Sequence, residues 1–201
     1  MTMATGSKIV VRTAEQEDLD RVVSVLRAAN AEFERVLPAA FFHAYLANVL
    51  DVRGRCDESQ LFVAQRSEGG RIVGAVTLFP DASREGWGWP ANWTGIRAVA
   101  VEPSARGLGI GRRLAQQCIE RSRELGADAV CLHTASFMEA ATAMYERVGF
   151  RRTPTFDRDA GELFGVQSLE PPIAALAYRL ELSAVTNAIA RGGRSTERSG
   201  R

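Results

Sequence analysis

The chain has 201 residues, of which 46% are hydrophobic and 24% charged, with a formal net charge of +1. That length suits one domain with a substantial core, and the near-neutral balance gives no whole-chain field to collect nucleic acid or anionic lipid. No apolar stretch is long enough to span a bilayer, and residues 1–7 lack the basic and then apolar pattern of a signal peptide, so a cytoplasmic protein with no membrane or nucleic-acid partner is expected.

Residues 1–7 are expected to be disordered, ahead of a single domain over 8–185. Residues 8–12 alternate into a first strand. Glu15, Glu17 and Asp18 then place negative charge on the first turn of a helix, where the dipole favours it. Leu19, Val22, Val23, Leu26 and Phe33 make that helix amphipathic. A second helix is predicted over 38–52, rich in aromatic residues. Residues 61–65 and 72–79 read as strands of a hairpin, joined by a turn with Gly69 and Gly70. Residues 80–95 form a loop holding Trp87, Trp89 and Trp93, and an apolar strand follows at 96–101.

Next comes Arg106-Gly107-Leu108-Gly109-Ile110-Gly111, and then Leu114, Cys118 and Leu125 at helical spacing up to Gly126. The order is strand, glycine turn, helix N-terminus. Glycines leave no Cβ in the way of a ligand and permit positive φ. The unpaired N–H groups of the first helical turn, reinforced by the helix dipole, then make a site for a phosphate or pyrophosphate. A Walker loop would need Gly-Lys-Ser/Thr, and the only lysine is Lys8; the glycine spacing also departs from a dinucleotide fingerprint. A strand at 130–134, a short helix at 138–148 and a last strand at 174–182 complete the domain. Residues 151–173, with Pro154, Pro171 and Pro172, are partly irregular, and the Arg/Ser/Gly-rich tail at 186–201 is expected to be disordered. Of three cysteines, Cys118 and Cys131 are read as small core residues, with no disulfide and no metal site. Lys8 stands alone among 25 Lys and Arg, leaving 24 arginines, which reads as the codon bias of a GC-rich bacterial genome.

Two of these segments resemble signatures of the GNAT N-acetyltransferase superfamily. Arg-x-x-Gly-x-Gly at Arg106, Gly109 and Gly111, preceded by Val101-Glu102-Pro103, resembles its coenzyme A pyrophosphate loop. Tyr145-Glu146-Arg147-Val148-Gly149-Phe150 resembles its second signature, and Gly149 is suited to stop the helix in a left-handed conformation. The resemblance implies an α/β N-acetyltransferase fold: a mixed central sheet flanked by helices, whose parallel central strands (96–101 and 130–135) splay apart. It also implies acetyl-CoA as acyl donor and an amine, on a small molecule or a peptide end, as acceptor.

On that resemblance the amides of Arg106, Gly107, Leu108, Gly109, Ile110 and Gly111 anchor the pyrophosphate, with Arg112 or Arg113 adding a charge-assisted contact. Val99, Ala100 and Val101 pair with the pantetheine arm like an added strand. Tyr145 is the candidate acid for the leaving thiolate, since a phenol with a pKa near 10 is protonated at neutrality; packing on its own helix is the alternative. His133 is the candidate base, half-deprotonated near neutrality, or else a polar residue filling a strand face. Glu102 is a weaker candidate, and water alone is another. Many family members carry an asparagine seven residues before the tyrosine; Met138 stands there, so that contact is lost or taken over by Thr134 or Ser136.

The acceptor pocket is expected to be lined by Phe41, Phe42 and Tyr45, by Trp87 and its loop, and by Arg97. The tryptophans make an aromatic wall, cap the core edge or form a homodimer contact. Arg97 pairs with an acceptor carboxylate or stands as a strand-end charge. The competing reading is a non-catalytic acyl-CoA-binding sensor.

Overall fold

The computed structural model describes residues 8–166 and 169–182; the expectations for residues 1–7 and 186–201 lie outside them. The chain runs β1 (Ile9–Thr13), α1 (Leu19–Asn30), α2 (Ala39–Leu50), β2 (Gln60–Arg66), β3 (Ile72–Phe79), β4 (Trp93–Val101), α3 (Ile110–Glu124), β5 (Ala129–Ala135), α4 (Glu139–Val148), β6 (Arg151–Arg152), β7 (Arg158–Asp159), α5 (Ala160–Leu163) and β8 (Ala174–Glu181). The strands form one mixed sheet in the order β1-β2-β3-β4-β5-β8-β6, with β7 pairing to β8. Only the β4–β5 junction is parallel; every other pairing among the described residues is antiparallel.

Helices cover both faces. On β2, Phe62 and Ala64 join the cluster under α3 and α4, and Val63 between them joins the cluster under α1 and α2. This is the two-residue period of a strand. Every residue of β3 is buried, as a strand covered on both sides requires. Ile110, Leu114, Ala115, Cys118 and Ile119 of α3 sit on one face of the sheet, and Leu19, Val22, Val25, Leu26 and Ala29 of α1 belong to the cluster on the other. Burying a side chain such as Leu114 contributes roughly 1.5–3 kcal/mol.

Helix ends follow their residues. Asp18 caps the chain before α1: its carboxylate accepts from the Glu15 N–H at 2.8 Å and pairs with Arg12 at 2.6 Å. Phe33 lies beyond α1 in a tighter turn, Ala31–Arg35, so the helix is shorter than the apolar period suggested. Gly149, at φ 114°, ends α4, its N–H donating to the carbonyls of Tyr145 and Glu146. The central strand starts at Trp93, earlier than expected, because residues 93–96 pair with residues 129–132 of β5. Cys118 and Cys131 are buried, and Cys56 is exposed. No helix among the described residues is long and apolar enough to cross a membrane.

Candidate active site

The cleft begins with a fault in the sheet. Ala75 faces Ala100 and Thr77 faces Arg97, so Val76 alone stands opposite the two residues Ala98 and Val99. This is a β-bulge, and Ala98 absorbs it at φ 54°, the one non-glycine residue with positive φ among those described. A bulge bends its strand. The parallel pairing of β4 with β5 accordingly stops at Ile96–Leu132, while β5 stays paired with β8 as far as Ala135. Beyond Ile96 the β5-facing edge of β4 has no strand partner, which leaves backbone N–H and C=O groups open to an extended ligand.

That edge leads into the glycine turn. Gly107 and Gly109 lie at φ 78° and 71°, and a Cβ added to either meets nothing within 4 Å. Gly109 is the N-cap of α3, and no side chain caps it. The amides of the first turn are thus left for a ligand, at the positive end of the helix dipole. A Cβ on Gly111 would lie 3.8–4.0 Å from Val101, Met144 and Val99, where α3, β4 and α4 converge. The whole forms a cleft of about 1000 Å³, lined from the glycine turn, along β4, to Tyr145 and on to α2 and Trp87. An uncapped helix N-terminus, Cβ-free glycines and an unpaired strand edge fit the pyrophosphate and the amide-bearing arm of coenzyme A.

Residues 22–150 match the model of the Acetyltransferase (GNAT) family. The chain belongs to the GNAT acetyltransferase family. It is 36% identical over 84 residues to the protein named Probable N-acetyltransferase camello of Xenopus tropicalis, covering 42% of this chain and 36% of that one. It is 36% identical over 110 residues to glucosamine 6-phosphate N-acetyltransferase of Trypanosoma brucei brucei, covering 53% of this chain and 68% of that one. The match spans about a third of the length of the first curated relatives. An acetyltransferase of Bacillus subtilis, solved in complex with CoA, superposes with a TM-score of 0.62 at 17% identity, over 87% of this chain and 99% of that one. At that identity the likeness shows the fold. The splayed mixed sheet is therefore the GNAT fold, in a family that uses acetyl-CoA generally.

Within the GNAT frame the sequence candidates separate. Val99, Ala100, Val101, Gly107, Gly109, Ile110, Gly111, Arg112, Thr134 and Tyr145 all line the cleft. Leu108 does not; it stands 53% exposed at the tip of the turn. Arg106 lines the cleft, but its guanidinium closes on both carboxylate oxygens of Glu32 at 2.9 Å and on the Ala29 carbonyl, so its side chain ties the turn to the end of α1. Arg113 donates to the Ile9 carbonyl, away from the turn. Thr134 Oγ1 lies 3.1 Å from Thr142 Oγ1, joining β5 to α4 beside Met138, and Ser136 is exposed.

Tyr145 is buried, its ring edge-on to Phe150 at 5.7 Å, and it lines the cleft from α4. Burial, with smaller contributions from Cys118 and Tyr45, pushes its phenol further up, so the hydroxyl keeps its proton at neutrality. Glu102 is removed as a base. Burial alone would raise its carboxyl, but Arg21 at 2.9 Å and Arg71 at 2.6 Å outweigh that and hold it below the usual range, outside the cleft.

His133 needs a correction. Its Nε2 donates to the Phe156 carbonyl at 2.8 Å, its Nδ1 is buried without a partner, and its ring packs 4.6 Å from Trp89 and 4.9 Å from Trp87. Burial pushes its pKa down to about 4, partly offset by the Phe156 carbonyl. The ring lines the cleft but is neutral through the physiological range rather than half-protonated, a weak base whose Nε2 is committed to the Phe156 carbonyl.

Phe41 needs another. It is 1% exposed and packs beside Tyr45 and Phe164 in the core; it does not line the cleft, and Phe42 is buried too. The end of the cleft away from the glycine turn is lined instead by Tyr45, Asn48, Trp87, Arg97, His133, Phe137 and Phe164. Asn48 follows Tyr45 by one helical turn and was legible from that spacing; Phe164 was not, because it arrives from the irregular stretch after α5. The tryptophans divide: Trp87 faces the cleft, and Trp89 and Trp93 pack on Phe156 at the core edge.

Proposed function

We propose that the protein is an acetyl-CoA-dependent N-acetyltransferase that moves an acetyl group to a primary amine. The observation that carries this reading is the unpaired edge of β4, which leads to the uncapped N-terminus of α3 within a cleft that Tyr145 also lines. Acetyl-CoA supplies an acetyl group activated as a thioester. The amides at the head of α3 hold its pyrophosphate, and the edge at Val99–Val101 orients the arm as an extended strand. A backbone N–H of that edge, near Val101, polarises the carbonyl.

The acceptor amine approaches from the Tyr45, Trp87 and Arg97 end. As its nitrogen bonds to the acyl carbon, the carbon–sulfur bond breaks. Tyr145 donates its proton to the sulfur, and the amine's surplus proton leaves through water to restore the phenol. No side-chain base is required, in keeping with the low basicity of His133 and the paired Glu102.

The test is release of free thiol from acetyl-CoA by the purified protein. Thiol release that requires an added primary amine, with formation of its N-acetyl product, supports the reading. Binding of acetyl-CoA without turnover of any amine across a broad panel favours the sensor alternative.

A further inference from the structure

The acceptor end of the cleft holds an unusual cation. Arg97 sits on β4 at the start of the divergence, two residues before the edge at Val99. Its guanidinium carbon lies over the Trp87 ring, 4.3 Å from the centroid, and one Nη2–H donates to Asn48 Oδ1. A guanidinium has five donors. Among the described residues no carboxylate comes within ion-pair distance of Arg97.

Glu85 and Asp51 act on Arg97 only at longer range. Glu85, which is closed in against Gly95, is a poor countercharge, because burial pushes its carboxyl up to about 8. A second arginine, Arg55, is buried nearby and spends its Nη donors on the carbonyls of Asn48 and Val49. The polar end of the pocket is therefore net positive, and a cation withdrawn from water without a partner is unfavourable until a ligand anion supplies one.

Around that cation the wall is aromatic and continuous. Trp87 meets Phe164 at 6.2 Å, Phe164 meets Tyr45 at 5.7 Å, and Tyr45 meets Phe137 at 6.2 Å. Tyr45 spends its hydroxyl on Asn30, at 2.5 Å, so it presents ring rather than donor to the cleft. One fork of N–H donors held beside a large apolar wall matches a planar monoanion on an apolar body.

We propose that the acceptor is an amine bearing a carboxylate and a large apolar or aromatic side chain, an α-amino acid in chemical class, with Arg97 and Asn48 holding the carboxylate and Trp87, Phe137 and Phe164 the side chain. This rests on the acetyltransferase reading above. Arg97 is then a specificity-determining residue, its orientation fixed by Asn48 and Trp87. The arrangement selects against simple amines and against amides of the same acids, which leave the guanidinium unpaired.

The experiment is calorimetric titration of the protein, alone and saturated with coenzyme A, using phenylalanine, tryptophan and leucine, each beside its carboxamide. The acid of at least one pair is expected to bind about tenfold or more tightly than its amide, as loss of a charged hydrogen-bond partner implies. Arg97→Met should abolish that preference while leaving acetyl-CoA affinity unchanged. The acid–amide comparison in the unaltered protein needs no variant to fold. Equal binding of acid and amide in every pair, including no binding of either, overturns the proposal. Failure of acetyl-CoA to bind, with the acid preference kept, removes the acetyltransferase reading and leaves the carboxylate site standing.

Discussion

A Cβ on Gly95 would stand 1.7 Å from Oε1 of Glu85. The glycine in the middle of β4 is there because a buried carboxyl group lies against the backbone of the strand. Glu85 closes the short turn Ala82–Glu85, so this contact presses the tryptophan loop onto the sheet just below the site of divergence.

Gly95→Ala should therefore be destabilising, since Glu85 must be driven from a packed position. An overpacked core position costs about 1–3 kcal/mol. Urea denaturation of the two proteins checks it, and Gly95→Ala combined with Glu85→Ala should recover part of the loss.

The same carboxyl makes stability depend on pH. Glu85 rises from its ordinary 4.5 to about 8 on folding, so between those values the folded chain holds one proton more than the unfolded chain, and stability falls as pH rises. His133 acts in the opposite sense: lowered from 6.5 to about 4, it makes stability rise with pH between those values. The two nearly cancel from pH 4.5 to 6.5, and Glu85 acts alone from 6.5 to 8. Thermal midpoints should decline over that upper window by the equivalent of about 1–2 kcal/mol. Glu85→Gln should flatten the decline.

Gly111→Ala separates stability from binding. Gly111 lies in the first turn of α3, where alanine is intrinsically favoured by up to about 1 kcal/mol. Its methyl would meet Val99, Val101 and Met144 at ordinary contact distance and narrow the channel between them. The variant should melt no lower than the parent and bind acetyl-CoA roughly tenfold more weakly or worse. Differential scanning calorimetry and titration read the two effects independently.

Tyr145→Phe should preserve the fold and the affinity for acetyl-CoA while lowering kcat by about 10²-fold or more, the usual contribution of a positioned acid. Because His133 is neutral down to about pH 4, the pH–rate profile should show no break near 6.5 from an enzyme base. A break there that vanishes in His133→Gln would restore the histidine to the chemistry.

The cofactor half of the site was legible because its signals are local. Gly107, Gly109 and Gly111 follow one strand and open one helix, so a single stretch of chain encodes the turn, and Gly149 marks the end of α4 in the same way. The bulge at Ala98 was not legible: nothing in Arg97-Ala98-Val99 departs from a regular strand, and alanine is an unusual residue at φ 54°. The fate of Arg106 was hidden for a related reason, since its partner Glu32 lies 74 residues earlier. The proposed acceptor end was half legible. Tyr45, Trp87 and Arg97 were named, but Phe41 falls on the core side of the same helix, and Phe164 comes from a segment without periodicity. His133 was read from its type and place, and the burial that changes its protonation comes from Trp87, Trp89 and Phe156, which only the fold brings together.

The central claim is that the opening between β4 and β5 receives coenzyme A by its pyrophosphate and its arm. Isothermal titration of the purified protein with acetyl-CoA, coenzyme A and ATP tests it most directly. Micromolar binding of the first two, with ATP at least about a hundredfold weaker, is the predicted result, because ATP offers phosphates to the glycine turn but no arm to the strand edge. Absence of coenzyme A binding, or binding of ATP with equal affinity, would contradict it.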